Sequence, residues 1–176
     1  SVLDPDSPLC NSKLFDLGVP VLGICYGMQL ITHLLDGQVN PSEQREFGRA
    51  ELKLKESSSL FEGVKNNSVV WMSHGDRITK LPHKFKSIAF TGNSPSAAIE
   101  NPIKKLYGLQ FHPEVVHSDE GEKIFKNFLF KICECAANWK MDSLADFMVQ
   151  DIRKKVGDEK VICGLSGGVD SSVAAV

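Results

Sequence analysis

The sequence predicts an α/β fold: a mostly parallel sheet with flanking helices, followed by the start of a second α/β domain. In the first part, residues 19–24 form a branched apolar run typical of a strand buried on both faces of a parallel sheet, and apolar residues then recur at helical spacing up to Gly37. In the last part, the mainly apolar residues 160–165 (Lys-Val-Ile-Cys-Gly-Leu) precede a glycine- and serine-rich loop and a run of small apolar residues. This second pattern predicts a further strand, loop and helix.

The composition is that of a globular protein. Its 176 residues, 42% of them hydrophobic, suffice for one ordinary domain and the start of another. The net charge of −2 favours neither nucleic acid nor a membrane as a partner, and no apolar run approaches the roughly 20 residues of a membrane span. Five cysteines without framework spacing favour a reducing compartment, so we predict a cytoplasmic protein. We interpret both ends of the sequence, Ser1 and Val176, as cut.

Cys25 follows the first predicted strand and stands between Gly23 and Gly27. The glycines leave room for a tight strand-to-helix corner, as in the nucleophile elbow of hydrolases. A thiol at such a corner points out of the sheet edge, and the N-terminus of the next helix favours its thiolate form. A buried structural cysteine fits the local pattern about equally well.

Short strands and turns follow the first helix. Residues 37–48 are polar and predict an irregular segment with solvated Arg45, Glu46 and Arg49, and residues 60–63 predict a turn. Apolar runs and alternating patterns predict five strands: residues 50–55, 68–72, 86–91, 96–100 and 106–111.

Two polar clusters come directly after predicted strands. Residues 73–76 (Ser-His-Gly-Asp) follow one strand, where open sheets commonly bind ligands, although residue types alone favour a simple turn. His112 and Glu114 follow another, and residues two apart in extended chain project to the same side. An imidazole that takes a thiol proton, oriented by a carboxylate, is what a cysteine hydrolase needs. The alternative is a histidine that merely caps the end of the strand. This alternative is less favoured in a chain that also has Cys25 at a strand-to-helix corner.

The last third of the sequence predicts two helices, a strand and a phosphate-binding loop. Asp119 and Glu122 form a capping-box pattern for a helix to about residue 136, residues 138–142 read as a linker, and a second amphipathic helix ends at Gly157. Cys163 lies in the predicted buried strand 160–165. The loop that follows can hold an anion through backbone N–H groups and hydroxyls, but it lacks the Walker A lysine: Ser166, Gly167, Gly168, Val169, Asp170, Ser171 and Ser172.

With these motifs in one chain, the sequence resembles the glutamine-hydrolysing GMP synthase family. Residues 23–29 and 111–114 look like the two signatures of a class I glutamine amidotransferase, and residues 166–172 look like the pyrophosphate loop of N-type ATP pyrophosphatases. Each motif occurs in several enzymes, but their order singles out this family. The resemblance implies a glutamine amidotransferase domain over residues 1–137, and the start of an adenine nucleotide alpha hydrolase-like ATP pyrophosphatase domain over residues 138–176.

The resemblance also implies residue roles. Cys25 would attack the side-chain amide of glutamine, His112 would act as general base and then acid, and Glu114 would orient His112. The oxyanion and the glutamine would be held by Tyr26 (through its backbone N–H), Gln29, Ser73, His74, Gly75 and Asp76. Residues 166–172 would hold the pyrophosphate of ATP. ATP with Mg²⁺ would be a co-substrate beside glutamine and xanthosine monophosphate, with no prosthetic group and no metal held by the chain.

The family pattern extends beyond this sequence at both ends. In the family, a Gly-Gly-Pro loop that supplies another oxyanion donor precedes the part that begins at Ser1. The rest of the nucleotide site and a dimerisation region follow the pyrophosphate loop. We therefore expect a fragment of a homodimeric enzyme, which by itself should not make GMP.

Two other functions stay open. A cysteine peptidase, or a free-standing hydrolase of γ-glutamyl substrates, would use the same three residues, but it leaves residues 166–172 unexplained. A non-catalytic glutaminase-like module that binds a partner would not need a reactive thiol at Cys25.

Overall fold

The computed structural model describes residues 1–138 and 141–176, which form two compact units, Ser1–Cys135 and Ala136–Val176. Trp139 and Lys140, in the middle of the predicted linker, lie outside the described residues. No helix in the described ranges is long and apolar enough to cross a membrane. The domain boundary between residues 137 and 138 stays a prediction.

The first unit is built on a six-stranded sheet with strand order β1-β6-β5-β4-β2-β3. The strands are β1 Val21–Ile24, β2 Gln38–Leu54, β3 Ser68–Lys80, β4 Lys86–Phe90, β5 Ala98–Asn101 and β6 Leu106–Leu109. Strand β1 pairs in parallel with β6, whereas β2 pairs with β3 and β4, and β5 with β4 and β6, in antiparallel fashion.

The predicted α/β class with flanking helices is confirmed, and the sheet is mixed where the sequence predicts a mostly parallel one. The connections from β3 to β6 are short turns and loops, and a parallel pairing would need a long crossover connection between strands. The connections between β3 and β6 are therefore too short for parallel crossovers. In the described sheet, parallel pairing is found between β1 and β6.

Helix α1, Tyr26–Leu34, packs on the sheet beside the parallel pair. Its Met28 and Ile31 are buried, and Ile31 shares a core cluster with Phe15 and Leu106. Helix α2, Gly121–Lys126, continues as a π-helix over Asn127–Ile132 and buries Ile124 and Ile132 in the main core. Short 3₁₀ turns at Ser12–Asp16 and Ser59–Phe61 complete the unit.

Three local predictions for this unit are wrong. Residues 38–48 belong to strand β2, because residues 38–41 and 46–48 pair with β3 despite the polar sequence, with an irregularity between Pro41 and Glu46. Residues 73–76 lie inside β3 and not at its end. The capping box is absent, because the Asp119 carboxylate accepts a hydrogen bond from the Val69 backbone N–H at 3.2 Å, and Glu120 precedes the helix.

The second unit contains helix α3, Met141–Val156, and helix α4, Val169–Ala175. Gly157 follows α3 with φ of +55°, a conformation that suits the predicted helix stop. The predicted buried strand at residues 160–165 is not formed and its residues are exposed, so Cys163 is not a core residue here. A strand needs a neighbour to pair its backbone groups, and the described part of this unit has no other strand.

Candidate active site

Cys25 stands at a strained corner between β1 and α1. Its φ of +49° and ψ of −102° are unusual for a residue with a side chain, and its backbone N–H donates to the Leu109 carbonyl of β6 at 2.7 Å. A Cβ at Gly23 would lie 2.6 Å from the carbonyl carbon and oxygen of Gly27, so only glycine lets α1 turn back this closely. Gly27 has open space around it. The predicted elbow is therefore present, with Gly23 as the residue on which it depends.

The sulfur of Cys25 contacts two other strands. The thiol donates to the Ser73 carbonyl of β3 at 3.6 Å, and the side-chain amide of Gln110, just after β6, donates to the sulfur at 3.8 Å. Gln29 on α1 donates in turn to Gln110 Oε1 at 3.5 Å. Gln29 and Gln110 are both buried.

The surroundings of Cys25 raise the pKa of its thiol above the ordinary value. Burial is the largest cause, and the negative charge of Glu114 acts in the same direction. Hydrogen bonds from the Tyr26 backbone N–H and the Gln110 amide oppose this effect. The helix N-terminus does favour the thiolate, as the sequence predicts, but burial outweighs it.

His112 and Glu114 form a close pair beyond the end of β6. His112 Nδ1 lies 2.6 Å from Glu114 Oε1. The backbone of His112 is fixed twice, because its N–H donates to the Trp71 carbonyl at 2.9 Å and its own carbonyl accepts from Ser118 Oγ at 2.6 Å. Both side chains are partly open to solvent, at 24% for His112 and 47% for Glu114, so a substrate can reach them.

The parallel pairing of β1 and β6 brings the two motifs to one edge of the sheet. Ile24 pairs with Leu109, and Cys25 and His112 follow these residues along their strands. Within the described residues, the Cys25 thiol bonds to Ser73 and Gln110 and makes no hydrogen bond with the His112 ring. Such bonds are often long without substrate and shorten in the reacting complex. The edge therefore presents a thiol, an imidazole and a carboxylate together.

Residues 73–76 reach the site through one backbone group, the Ser73 carbonyl on the thiol. His74 is buried and points away from solvent: its Nδ1 lies 2.8 Å from the Asp76 carbonyl, and its Nε2 lies 3.3 Å from Glu46 Oε2. The contact between Nε2 and the carboxylate is close but lacks hydrogen-bond alignment. The predicted solvation of Glu46 is wrong, because this carboxylate is 8% exposed and accepts from Thr91 Oγ1 at 3.0 Å.

Sequence reasoning missed Gln110 and Glu46. Gln110 could have been noticed as an amide within the predicted strand 106–111, directly before the Phe-His-Pro-Glu motif. Nothing around Glu46 distinguishes it from a solvated carboxylate, because its partners lie on strands β3 and β4 or just beyond them, far away in sequence.

The second unit presents the predicted serine-rich loop on its surface. Gly167 has φ of +78°, Gly168 precedes α4, and the residues from 166 to 170 are exposed. The hydroxyls bond inside the loop: Ser166 Oγ lies 3.0 Å from Ser171 Oγ, and Ser172 Oγ donates to the Gly168 carbonyl at 2.9 Å. Across residues 1–138 and 141–176, no group of three or more His, Cys, Asp or Glu side chains could hold a metal ion.

Comparison with known proteins agrees with this division. Residues 4–132 match the family described as glutamine amidotransferase class-I, and residues 140–176 match the one described as NAD synthase. Curated relatives named "GMP synthase [glutamine-hydrolyzing]" match all 176 residues: that of Acetivibrio thermocellus is 56% identical, that of Clostridium botulinum strain Hall 54% and that of Caldanaerobacter subterraneus subsp. tengcongensis 52%. The chain spans 34% of the length of each of these relatives.

Solved structures show the same fold. A Thermoplasma acidophilum protein described as a candidate GMP synthase subunit is 30% identical with a TM-score of 0.65, over 77% of this chain and 64% of that one. A glutamine amidotransferase from Thermotoga maritima, 22% identical, has a TM-score of 0.55 over 82% of this chain and 62% of that one. Together with the match over residues 4–132, which covers most of the chain, these findings show that the protein belongs to the class-I glutamine amidotransferase family.

Proposed function

We propose that the protein is a glutamine-hydrolysing GMP synthase. It would release ammonia from glutamine and pass it to xanthosine monophosphate activated by ATP, with formation of GMP, AMP and pyrophosphate. The observation that carries the proposal is the meeting of Cys25 with the His112–Glu114 pair at one sheet edge. It is supported by the identity of more than half of all 176 residues with relatives that bear this name.

The first chemical step is proposed for Cys25. Its sulfur attacks the carbonyl carbon of the glutamine side-chain amide while the thiol proton passes to His112, which then protonates the departing nitrogen as ammonia. Water, deprotonated by His112, attacks the resulting thioester and releases glutamate, and the proton returns to the thiolate. Each bond to sulfur that forms is broken again, so the chain is unchanged after one turnover.

Glu114 is proposed to orient His112. An acidic oxygen 2.6 Å from Nδ1 keeps the proton on that nitrogen and leaves the lone pair of Nε2 free to take a proton. The carboxylate also stabilises the imidazolium that forms during attack. This is the role that a buried acid plays in serine hydrolases, carried out here by a half-exposed residue.

The remaining residues of the first unit are proposed to bind. The backbone N–H of Tyr26, the first residue of α1, would stabilise the oxyanion that forms on the substrate carbonyl. Gln29 and residues 73–76 would hold the glutamine. Since His74 is buried against Glu46 and its Nδ1 lies 2.8 Å from the Asp76 carbonyl, its part is to support the backbone of β3, and not to contact the substrate with its ring.

The second unit is proposed to begin the ATP site. Its exposed loop, residues 166–172, offers backbone N–H groups and hydroxyls beside the start of α4, a donor set that fits a pyrophosphate. Mg²⁺ would come bound to ATP and neutralise part of its charge. Location in the cytoplasm, a homodimeric assembly and the absence of nucleic-acid partners belong to the same proposal.

Glutamate release from glutamine tests the proposal. The full-length protein that contains this chain is assayed as wild type and as Cys25→Ala, with and without ATP, Mg²⁺ and xanthosine monophosphate, and Cys135→Ala serves as a control at an exposed cysteine. We expect release that requires Cys25, is unaffected by Cys135→Ala, and rises with the nucleotides. Release that ignores the nucleotides would indicate a free-standing hydrolase instead, and no release from any variant would indicate a binding module.

A further inference from the structure

Gln110 is a buried polar side chain that none of the predicted motifs includes. It is 1% exposed and follows β6, one residue before Phe111 and two before His112. Its backbone N–H donates to the Ala97 carbonyl at 2.8 Å, which fixes its position beside the sheet. Its amide nitrogen lies 3.8 Å from the Cys25 sulfur. Because Gln110 is closed off from water, its amide interacts with the sulfur directly and not through solvent.

The orientation of the Gln110 amide follows from its two neighbours. Gln29 Nε2 donates to Gln110 Oε1 at 3.5 Å, so the oxygen of Gln110 faces α1 and its nitrogen faces the sulfur. The opposite orientation would place an oxygen lone pair against the sulfur, which a neutral thiol could accept by donating its proton but a thiolate would repel. Gln29, itself 4% exposed, supports the orientation in which the N–H end of Gln110 meets a thiolate at Cys25.

The sulfur has separate partners for its two protonation states. The Ser73 carbonyl, at 3.6 Å, accepts the S–H proton of the neutral thiol and repels a thiolate. The amide nitrogen of Gln110 can only donate, so it stabilises the thiolate, as does the backbone N–H of Tyr26. The charged or titratable groups around the sulfur are the Glu114 carboxylate, which disfavours the thiolate, and the His112 ring on the same sheet edge.

We infer that Gln110 is a further catalytic residue, whose amide N–H holds the Cys25 thiolate for attack while Gln29 keeps the amide in the donating orientation. The inference rests on the proposed function, because it concerns the nucleophile of that reaction. No proton or electron is transferred by Gln110. Its contribution is a charge-assisted hydrogen bond in a place where burial and Glu114 both oppose ionisation.

The pH dependence of Cys25 alkylation tests this inference without any substrate. Iodoacetamide reacts with the thiolate, so the rate at which the Cys25 peptide is labelled, measured against pH, gives the thiol pKa. Labelling of the exposed Cys135 in the same digest serves as the control for the activity of the reagent. The variants are Gln110→Leu, which has no donor, and Gln110→Glu, which has the same shape but only acceptors when ionised. Gln38→Leu is the matched control, at an exposed glutamine on β2.

We expect Gln110→Leu to raise the pKa of Cys25 by about one unit, which lowers the labelling rate at neutral pH about tenfold. Gln110→Glu should raise it further, and Gln29→Leu should raise it less than Gln110→Leu. Gln38→Leu should leave it unchanged, and labelling of Cys135 should not differ among the variants. An unchanged Cys25 profile in Gln110→Leu would overturn the inference.

Two further comparisons keep the test decisive. If Gln110→Leu does not fold, as judged by circular dichroism, Gln29→Leu decides, and an unchanged Cys25 profile in that variant overturns the inference. Glutamate release by the wild type is measured separately. A shifted profile without glutamate release would refute the proposed function and leave Gln110 as the thiolate partner, whereas release with an unshifted profile would refute only the role of Gln110.

Discussion

Cys25 combines an unusual backbone with a raised thiol pKa. Its φ of +49° costs a residue with a side chain on the order of 1–3 kcal/mol, which the surrounding sheet and helix must offset. Strain of this kind places the sulfur at the tip of the corner, between Ser73 and Gln110. The residue that is proposed to react is therefore also one whose backbone conformation is unfavourable in free energy.

The strain at Cys25 predicts that glycine is the more stable replacement. Cys25→Gly and Cys25→Ala both remove the sulfur, but only alanine keeps a Cβ in the positive-φ conformation. We expect Cys25→Gly to unfold in urea with a free energy about 1 kcal/mol higher than that of Cys25→Ala. Equal stabilities, or a more stable alanine variant, would show that the corner is not strained.

The His112–Glu114 pair predicts a loss of turnover when the carboxylate is neutralised. Glu114→Gln keeps the shape but lets the amide hold the ring in either tautomer, so we expect kcat for glutamate release to fall about 10²-fold or more with little change in stability. Glu159→Gln, at an exposed position in the second unit, is the control. Full activity of Glu114→Gln would remove the carboxylate from the mechanism.

At the scale of single residues, the sequence predicts what is local. Cys25 between two glycines and His112 two residues from Glu114 are recognisable because their chemistry depends on neighbours in sequence. Gln110 and Glu46 are not recognisable in this way, because the sheet brings them to Cys25 and His74 from distant positions. The burial of Glu46 could not be predicted for the same reason. The local sequence indicates a solvated carboxylate, and only the pairing of β2 with β3 shows that it is buried.

Among the secondary structure elements, the close packing of α1 on β1 decides the geometry of the site. The added Cβ of Gly23→Ala would meet the Gly27 backbone at 2.6 Å and the Ile31 side chain at 2.7 Å, and backbone cannot move aside as a flexible side chain can. Gly27, on the first turn of α1, has no atom within 4 Å of such a Cβ. The two glycines of the same motif thus differ in their structural importance.

This difference predicts opposite effects for two alanine substitutions. We expect Gly23→Ala to lower the free energy of unfolding by about 1–3 kcal/mol through overpacking. Gly27→Ala should leave it unchanged or raise it by up to about 1 kcal/mol, because alanine favours the helix. Urea titrations of the two variants beside the wild type provide the check. Equal destabilisation by both would mean that α1 does not pack against Gly23 as described.

Elements were predictable where their own residues carry the pattern. Strand β1, helix α1 and the strand preceding His112 have apolar residues at the period of their structure, and they form where the sequence places them. Strand β2 begins in a polar stretch and extends because β3 pairs with it, which no local pattern reveals. Residues 160–165 show the reverse case, since they have a strand pattern but no strand to pair with among the described residues of their unit.

In the molecule as a whole, the described hydrophobic core lies in the first unit. The three core clusters draw their buried residues from Val2 to Ile132. In the second unit, the apolar side chains of Phe147, Met148 and Ile152 on α3 are exposed. The hydrogen bonds described for Cys25, His112 and Glu114 accordingly involve residues of the first unit.

This distribution predicts that a chain shortened to residues 1–135 keeps its fold. We expect it to unfold in urea in a single cooperative transition, followed by the fluorescence of Trp71 on β3, and to keep the alkylation profile of Cys25. The full 176-residue chain is the control. A broad, non-cooperative transition would show that the first unit depends on residues after 135.

Covalent labelling by a glutamine analogue that carries an electrophile in place of the side-chain amide tests the central claim most directly. The protein is treated with the analogue, digested and examined by mass spectrometry, with and without excess glutamine. We predict one adduct, on the Cys25 peptide, that glutamine prevents and that Cys25→Ala abolishes. Labelling spread over Cys10, Cys133, Cys135 and Cys163, or labelling of Cys25 that glutamine does not reduce, would contradict a glutamine site at this thiol.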